Sequence, residues 1–207
     1  MPQEDDRNQF VEAMTKEIGY HTKRKHWEIV PRDQVPRGIK PIMAIWSFKS
    51  RRYPDGTLNK HKARLCAHGI QQQWGINYWE TYAPVVNWVS VRFKLIISQL
   101  AGLETQALDF VLAFPQAKLD VPVYMKIPPG IDIENESKDE YLISLKSSLY
   151  GLNQSIANWY DCLKKGLERS GFRESKDDSC VFMKKGMIIL TYVDDCILIA
   201  NKKETLD

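Results

Sequence analysis

The sequence predicts an α+β fold, in which helices pack on one face of a mostly antiparallel sheet. Two observations lead to this prediction. Apolar residues recur at helical spacing in three separate segments, and short apolar or alternating runs bounded by turn residues lie between them. With 43% hydrophobic and 11% aromatic residues among 207, the chain can also bury a sizeable core. We therefore expect one large domain or two small ones.

Composition argues against several classes of protein. The net charge of +3 is too small to indicate a nucleic-acid partner, so the distribution of charge has to be considered instead. The four cysteines form no CxxC pair, which argues against a zinc site or a disulfide framework and favours an intracellular protein. The N-terminal stretch is polar and acidic, and no apolar run reaches transmembrane length, so we expect no membrane partner.

The N-terminal segment, residues 1–42, is predicted to contain a helix and a strand. Phe10, Met14 and Ile18 fall at helical spacing after two aspartates, which predicts a short amphipathic helix. "HWEIVP" predicts a short strand that ends at Pro31, and three prolines in residues 31–41 predict a loop.

Residues 43–67 predict a long β-hairpin around the turn "YPDGT", where Pro54 pre-sets φ and Gly56 permits a positive φ. Its arms are strongly basic. One interpretation is a solvated hairpin whose charges protect the strand edges from pairing. The other is a two-stranded finger that grips phosphates.

The remaining elements follow at regular intervals. A helix is predicted from Val89 to Leu100, ended by Gly102, and a second from Ile156 to Leu167, closed by Gly171. Strands are predicted at "ETQALDF", which runs into a short helix, and at "VYMKIPP", "YLISL" and both sides of the turn "KKG"; the last strand is expected to continue through two aspartates to Ala200. Residues 131–140 are expected to form an acidic surface loop.

The two adjacent aspartates, Asp194 and Asp195, interrupt the most apolar segment of the chain. Asp-Asp is a poor choice for a tight hairpin turn, which favours Asn-Gly or Asp-Gly. Apolar flanks would draw both carboxylates towards partly desolvated surroundings, where they repel each other. A divalent cation removes both problems, and carboxylate ligands without His or Cys suit Mg²⁺ or Mn²⁺.

A complete site needs a third carboxylate, and Asp109 is the best candidate. It is also a lone charge that ends an apolar strand, just before a short helix. If the two strands are neighbours, Asp109 lies beside Asp194. Three carboxylates can hold two cations about 3.5–4 Å apart, the arrangement used for phosphoryl and nucleotidyl transfer.

The stretch "TYVDDCILIA" resembles the catalytic hairpin of reverse transcriptases. Its surroundings resemble the copia-type branch of the LTR retrotransposons, because six further stretches follow in that family's order and spacing. These are "KARLCAHG", "GINYWETYAPVV", "QALDFVLAF", "VYMKIPPG", "SLYGLNQS" and "DDSCVFMKKGMIILTYVDD". The resemblance covers roughly residues 10–200.

The resemblance implies the fingers and palm of a right-hand polymerase, with fingers at 43–102 and palm at 103–207, and DNA synthesis on an RNA or DNA template. It makes Asp109, Asp194 and Asp195 the catalytic metal ligands, with two Mg²⁺ or Mn²⁺ ions as cofactors. Deoxynucleoside triphosphates, a primed template and the rest of a polyprotein would be the partners. Nucleotide-binding roles fall on Lys62, Arg64, Phe114, Gly151 and Gln154, and primer or template contacts on Tyr192 and Ser155.

For these residues, bland alternatives stay open. Without the resemblance, Phe114, the expected steric gate against ribonucleotides, would be assigned to the core. Gly151 fits a plain turn or helix cap and Ser155 an N-cap, and Tyr192 fits a half-buried strand position equally well. An RNA-synthesising palm enzyme conflicts with Phe114, because a ribonucleotide needs room for its 2′-hydroxyl.

The second functional hypothesis is an inactive retrotransposon remnant that at most binds nucleic acid. Residues 153–157, "NQSIA", lack two cations that the family has there. The sequence runs to Asp207, soon after the expected catalytic hairpin, so we expect the chain to lack a thumb and an RNase H domain. We therefore expect this chain to have little processive polymerase activity alone.

Overall fold

The computed structural model describes residues 4–133 and 137–203, which form four α-helices and ten strands. The helices are α1 (Glu4–Lys23), α2 (Trp88–Leu100), α3 (Ala113–Gln116) and α4 (Ser155–Arg169). The strands are β1 (Trp27–Pro31), β2 (Ala44–Arg52), β3 (Leu58–Ala67), β4 (Glu104–Asp109), β5 (Lys118–Lys126), β6 (Tyr141–Ser147), β7 (Arg173–Glu174), β8 (Val181–Lys184), β9 (Met187–Tyr192) and β10 (Asp195–Ala200). No helix in these ranges is long and apolar enough to cross a membrane.

Most predicted elements are present. The hairpin of residues 43–67 is formed by β2 and β3, and α2 and α4 lie where apolar periodicity placed them, with Gly102 and Gly171 at positive φ just beyond their ends. The first helix, at 20 residues, is longer than the short helix expected. Part of the acidic loop, residues 134–136, lies outside the described residues.

The chain divides into two compact units, each discontinuous in sequence: residues 1–80 with 117–155, and residues 81–116 with 156–207. The first unit contains the β2–β3 hairpin and an antiparallel sheet in the order β1-β6-β5. Its buried cluster joins residues of strands β1, β3, β5 and β6, including Trp27, Leu65, Val123, Ile143 and Leu145.

The second unit is built on a five-stranded antiparallel sheet in the order β4-β10-β9-β8-β7. The antiparallel pairing is as predicted, but the prediction of one sheet is wrong, because the described residues form three. Alternation of apolar residues indicates that a segment is a strand, but it does not determine which strands pair.

The expectation that helices cover one face is also wrong for this sheet. Val91 of α2 packs in a cluster with Leu190, whereas Leu167 of α4 packs against a cluster that contains Ile189. Because Leu190 and Ile189 are consecutive in β9, their side chains point to opposite faces. The two helices therefore cover opposite faces of the sheet.

A buried histidine pair in the first unit gives the fold a pH-dependent contact. His21 is fully buried and stacks on Trp27, and its Nδ1 lies 3.0 Å from Nδ1 of His26. Burial, followed by the nearby His21 and Arg24, lowers the pKa of His26 to about 4. In the folded protein His26 is therefore neutral at physiological pH.

We expect the free energy of unfolding to fall as the pH is lowered from about 6.5 to about 4, because the unfolded chain binds a proton at His26 more readily than the folded chain does. The stability contributed by neutral His26 is fully present above pH 6.5 and amounts to about 1–3 kcal/mol. Urea unfolding of the wild type and of His26→Gln between pH 7 and pH 5 measures it. An equally steep pH dependence in both proteins would contradict the assignment to His26.

Candidate active site at the β9–β10 turn

The aspartate pair lies at the tip of the hairpin formed by β9 and β10. Strand β9 ends at Tyr192, which pairs with Asp195, so Val193 and Asp194 are the two central residues of the turn. The prediction that one strand runs through both aspartates is therefore wrong. The positive φ that a tight hairpin turn requires, +56°, falls on Val193 and not on an aspartate.

Asp109 is brought directly opposite Asp195. Strands β4 and β10 pair antiparallel, and Asp109 and Asp195 are register partners at the end of that ladder. Directly opposed residues of an antiparallel pair have Cβ atoms about 4.5–5.5 Å apart and point to the same face. The predicted proximity of Asp109 to the aspartate pair is thus confirmed.

The turn is fixed to two neighbouring elements through its backbone. The amide of Phe110, the residue after β4, donates to the carbonyl oxygen of Asp194 over 2.9 Å. The indole Nε1 of Trp159, on α4, donates to the carbonyl oxygen of Val193 over 2.6 Å. The rings of Phe110 and Trp159 meet edge to face, with centroids 5.2 Å apart. Both central carbonyls of the turn are therefore held by groups from other elements.

Two non-glycine residues with strained backbones flank the three aspartates. Val193 precedes Asp194, and Leu112, with φ of +54°, lies in the short connection between Asp109 and α3. A positive φ is particularly unfavourable for a β-branched residue such as valine. Such strain, typically about 1–3 kcal/mol per residue, persists where surrounding contacts enforce it and is concentrated at functional sites.

The three carboxylates have no cation of the protein beside them. Within residues 4–133 and 137–203, none of Asp109, Asp194 and Asp195 forms an ion pair or a side-chain hydrogen bond. Asp109 and Asp195 are exposed and Asp194 is half-buried. Like charges directly opposite each other in a sheet are destabilising, so this arrangement gives the fold no benefit of its own.

The described residues contain no cluster of three acidic, histidine or cysteine side chains that is already closed around a metal position. Mg²⁺ does not require one, since it is usually bound by one or two carboxylates together with water and substrate phosphates. Three unpaired carboxylates on adjoining segments at one end of a sheet therefore suit a divalent cation in donor type and in backbone placement.

The environment behind the aspartates is apolar. Cys196, next to Asp195, is buried, and burial, followed by the charges of Asp195 and Asp194, raises the pKa of its thiol to about 12. A cavity of about 340 Å³ adjoins Asp195 on the face covered by α2, and Leu190, Tyr192 and Ile197 line part of it. The carboxylates thus lie at the boundary between an apolar interior and solvent.

Tyr192 and Phe114 lie in the same unit as the aspartates. Tyr192 is the register partner of Asp195 and is half exposed. Phe114 is half-buried in α3 and packs against a cluster that contains Ala113, Trp159 and Leu163. The roles of both residues in primer contact and sugar selection stay predictions.

Five of the predicted site residues lie in the first unit, and three of these, at positions 151, 154 and 155, make close contacts within that unit. A Cβ on Gly151, whose φ is +87°, would lie 2.2 Å from the carbonyl oxygen of Ala67. Gln154 is buried; its Oε1 accepts from Gln72 and its Nε2 donates to the carbonyl of Asn77. The hydroxyl of buried Ser155 donates to the carbonyl oxygen of Leu149. Their nucleotide and template roles stay predictions, beside these structural ones.

The basic hairpin, in the same unit, separates its charges by face. Register pairs lie on one face of a two-stranded ladder, and the pairs are Lys49 with Lys62, Arg51 with Lys60 and Ser47 with Arg64. This cationic face, defined as Lys49, Arg51, Lys60, Lys62 and Arg64, contains no acidic residue. On the other face, Phe48 packs against Phe10 of α1. Burial, followed by the neighbouring Arg64 and Arg51, lowers the pKa of Lys62.

The residues that hold the turn, Trp159 and Phe110, were not identified from the sequence. The helix predicted from Ile156 to Leu167 includes Trp159, but periodicity indicates burial and not the direction of an indole N–H. No sequence pattern could have linked Trp159 to a backbone carbonyl 34 residues further along the chain.

Comparison with known proteins leads to the same family as the sequence of the β9–β10 hairpin. The family model described as reverse transcriptase (RNA-dependent DNA polymerase) matches residues 24–207. The chain is 30% identical over 203 residues to the retrovirus-related Pol polyprotein from transposon TNT 1-94 of Nicotiana tabacum, which covers 96% of this chain and 15% of the relative. It is 34% identical over 199 residues to the Pol polyprotein from transposon RE1 of Arabidopsis thaliana, covering 94% of this chain and 13% of the relative.

A yeast relative, the transposon Ty1-ER2 Gag-Pol polyprotein of Saccharomyces cerevisiae, is 33% identical over 210 residues, or 96% of this chain and 11% of its own length. The chain thus spans only 11–15% of these three polyproteins. The family model and the relatives agree on the family to which the sequence motifs point. The chain therefore belongs to the reverse transcriptase family and is a reverse transcriptase domain of the kind found in the Pol polyproteins of copia-type retrotransposons.

Proposed function

We propose that the chain is an RNA-directed DNA polymerase domain that adds deoxynucleotides to a primer by two-metal nucleotidyl transfer. One observation supports this above all others. In a chain of the reverse transcriptase family, Asp109 and Asp195 are register partners, and Asp194 lies in the adjoining turn. No structural need of the fold accounts for three unpaired carboxylates there.

Asp109, Asp194 and Asp195 are the residues that hold the metal ions. Two divalent cations, when bound, activate the primer hydroxyl and stabilise the charge on the leaving pyrophosphate. The hydrogen bonds from the Phe110 amide and the Trp159 indole keep the turn fixed, so that the carboxylate placement does not depend on a flexible loop. Such pre-organisation matters because small misplacements of reacting groups cost orders of magnitude in rate.

The second unit corresponds to a palm in this proposal, and the hairpin of the first unit to fingers. The cationic face supports that assignment, because its five cations repel one another and favour an anionic partner, although Glu17 of α1 lies near enough to Lys62 to offset part of that repulsion. A primed RNA or DNA template, deoxynucleoside triphosphates and the remaining parts of a Pol polyprotein are the proposed partners.

Primer extension tests the proposal directly. The chain is incubated with an RNA template, a DNA primer, deoxynucleotides and Mg²⁺ or Mn²⁺, and product length is measured with and without EDTA. Short, template-dependent extension that EDTA abolishes is the expected result, since this chain alone is expected to have little processive activity. Salt-sensitive binding of the primed template without any extension would instead favour the alternative, a remnant that only binds nucleic acid.

Removing two cations from the hairpin should reduce the salt dependence of nucleic-acid binding. We expect Lys62→Ala/Arg64→Ala to flatten the slope of log K against log[salt] by roughly one to two units, if each side chain contacts one phosphate. Binding is measured by fluorescence anisotropy from 50 to about 200 mM salt, the range in which phosphate contacts dominate.

The matched control is Lys165→Ala/Lys185→Ala, which removes the same charge from two exposed positions of the other unit. Sequence preference should stay weak in all variants, because phosphate contacts carry no base information. A slope that changes equally in both double variants would show a general charge effect and not a hairpin contact.

Phe114 is proposed to exclude ribonucleotides. Phe114→Ala should raise the ratio of ribonucleotide to deoxynucleotide incorporation, because the smaller side chain leaves room for a 2′-hydroxyl. Competition between the two substrates in primer extension measures this ratio, and Phe114→Tyr is the control that retains the ring. An unchanged ratio in Phe114→Ala would refute the steric-gate role and favour a structural role for Phe114, which packs against the cluster of Ala113, Trp159 and Leu163.

A further inference from the structure

The turn that carries Asp194 is held by hydrogen bonds from two aromatic residues whose rings are in contact. Trp159 is 3% exposed, and its Nε1 donates to the carbonyl of Val193 over 2.6 Å. Phe110, whose ring meets that of Trp159, supplies the amide that donates to the carbonyl of Asp194. A buried indole donates in a fixed direction, unlike a water molecule at an exposed turn.

The conformation held in this way is one that Val193 disfavours. Its φ of +56° is rare for a β-branched residue, and a free hairpin of this sequence would relax towards another turn. A residue that enforces a strained turn has to bind an atom of that turn, and Trp159 does so at the residue that carries the strain.

Trp159 also contacts the segment that follows the other aspartate. It belongs to one cluster with Ala113 and Leu163, against which Phe110, Phe114 and Val193 pack. Phe110 directly follows Asp109, and Val193 directly precedes Asp194. Trp159 is therefore in contact with both aspartate-bearing segments, which lie far apart in sequence.

We propose that Trp159 is a positioning residue, whose indole N–H fixes the Val193 carbonyl and thereby places the Asp194 and Asp195 carboxylates beside Asp109. It acts through the turn and not on the substrate. Its catalytic consequence rests on the proposed polymerase function, whereas its effect on the turn is measurable without any activity.

Two replacements at position 159 separate the N–H from the bulk of the ring. Trp159→Phe removes the donor and part of the ring. Replacement of Trp159 by 3-benzothienylalanine keeps the shape of the ring system and removes only the donor, since sulfur takes the place of N–H.

The matched control is Tyr160→Phe. It removes a bond of the same type from the same helix, because Tyr160 Oη donates to the carbonyl of Ser179 over 2.9 Å, away from the turn. The position-159 variants and Tyr160→Phe should lower the urea midpoint of unfolding by similar amounts. Any difference between them at the turn is then not due to general destabilisation of α4.

Amide hydrogen exchange of Phe110 in the full chain is the deciding measurement, because that amide is bonded to Asp194. Both position-159 variants should speed its exchange by about tenfold, as expected for the loss of one hydrogen bond that holds the acceptor in place. Tyr160→Phe should leave it unchanged. Unchanged exchange in the position-159 variants, or an equal increase in Tyr160→Phe, overturns the proposal.

Single-turnover primer extension gives the catalytic readout. The position-159 variants should incorporate nucleotides about tenfold more slowly, in proportion to the turn population lost, with an apparent nucleotide affinity within about twofold of wild type. A rate lowered equally by Tyr160→Phe would refute the positioning role. If the wild-type chain shows no extension, the proposed function fails for this chain, and the exchange of Phe110 still decides whether Trp159 holds the turn.

Discussion

Changing Asp109 to asparagine is expected to abolish nucleotide incorporation almost completely, with a loss of about 10³-fold or more. Removing one metal ligand forfeits several kcal/mol of charge stabilisation in the transition state, and about 4 kcal/mol corresponds to 10³-fold in rate. The measurement is primer extension by wild-type and Asp109→Asn chains under single-turnover conditions.

The same change should leave the fold intact or slightly stabilise it. Asp109 is exposed and opposes Asp195, so removing one of two facing charges relieves repulsion worth about 0.2–1 kcal/mol. Glu104→Gln is the matched control, because it neutralises an exposed acid at the other end of the same strand, opposite Ala200. Full activity in Asp109→Asn, or equal losses in both variants, would contradict the role of Asp109 as a metal ligand.

The largest effect on stability is expected for Gly151→Ala, which should lower the free energy of unfolding by about 3 kcal/mol or more. An alanine there combines a positive φ of +87° with a Cβ 2.2 Å from the backbone oxygen of Ala67. The backbone has little room to move, because the amide of Ala67 donates to the carbonyl of Tyr150 over 2.7 Å.

Gly166→Ala makes the same chemical change but is expected to raise the free energy of unfolding. Gly166 lies within α4 with open space around its Cβ position, so alanine should stabilise the helix by about 0.5–1 kcal/mol. Urea unfolding monitored by circular dichroism measures both variants. A mild effect of Gly151→Ala would show that the contact between residues 67 and 151 is looser than the structure has it.

The proximity of the three aspartates could be predicted from the sequence because each of them breaks a local rule. Asp109 and the pair at 194–195 interrupt apolar strands, and a charge in such a position calls for a partner that the local sequence lacks. The hairpin of residues 43–67 was predictable for a similar reason, since the turn residues Pro54 and Gly56 have specific backbone preferences.

The support around the site was not predictable in the same way. The β9–β10 turn begins at Val193, which has no preference for a positive φ, so local propensity pointed away from the observed turn. Gln154 belongs to a recognisable motif, yet its bonds to Gln72 and Asn77 depend on segments far away in the chain. Tertiary contacts determine both the turn conformation at Val193 and the hydrogen bonds of Gln154. Such contacts produce no periodic pattern in the sequence.

The ladder between β4 and β10 also determines when the site comes into existence. A chain emerging from the ribosome contains Asp109 long before β10 has been made, and among the residues that the structure describes β4 pairs with β10 alone. Pairing of segments so distant in sequence is slow, because the intervening chain has to be ordered first. Nascent chains that have not yet reached Asp194 therefore contain only Asp109 of the three aspartates. Under the proposed function, nucleotidyl transfer has to await synthesis of β10 and its pairing with β4.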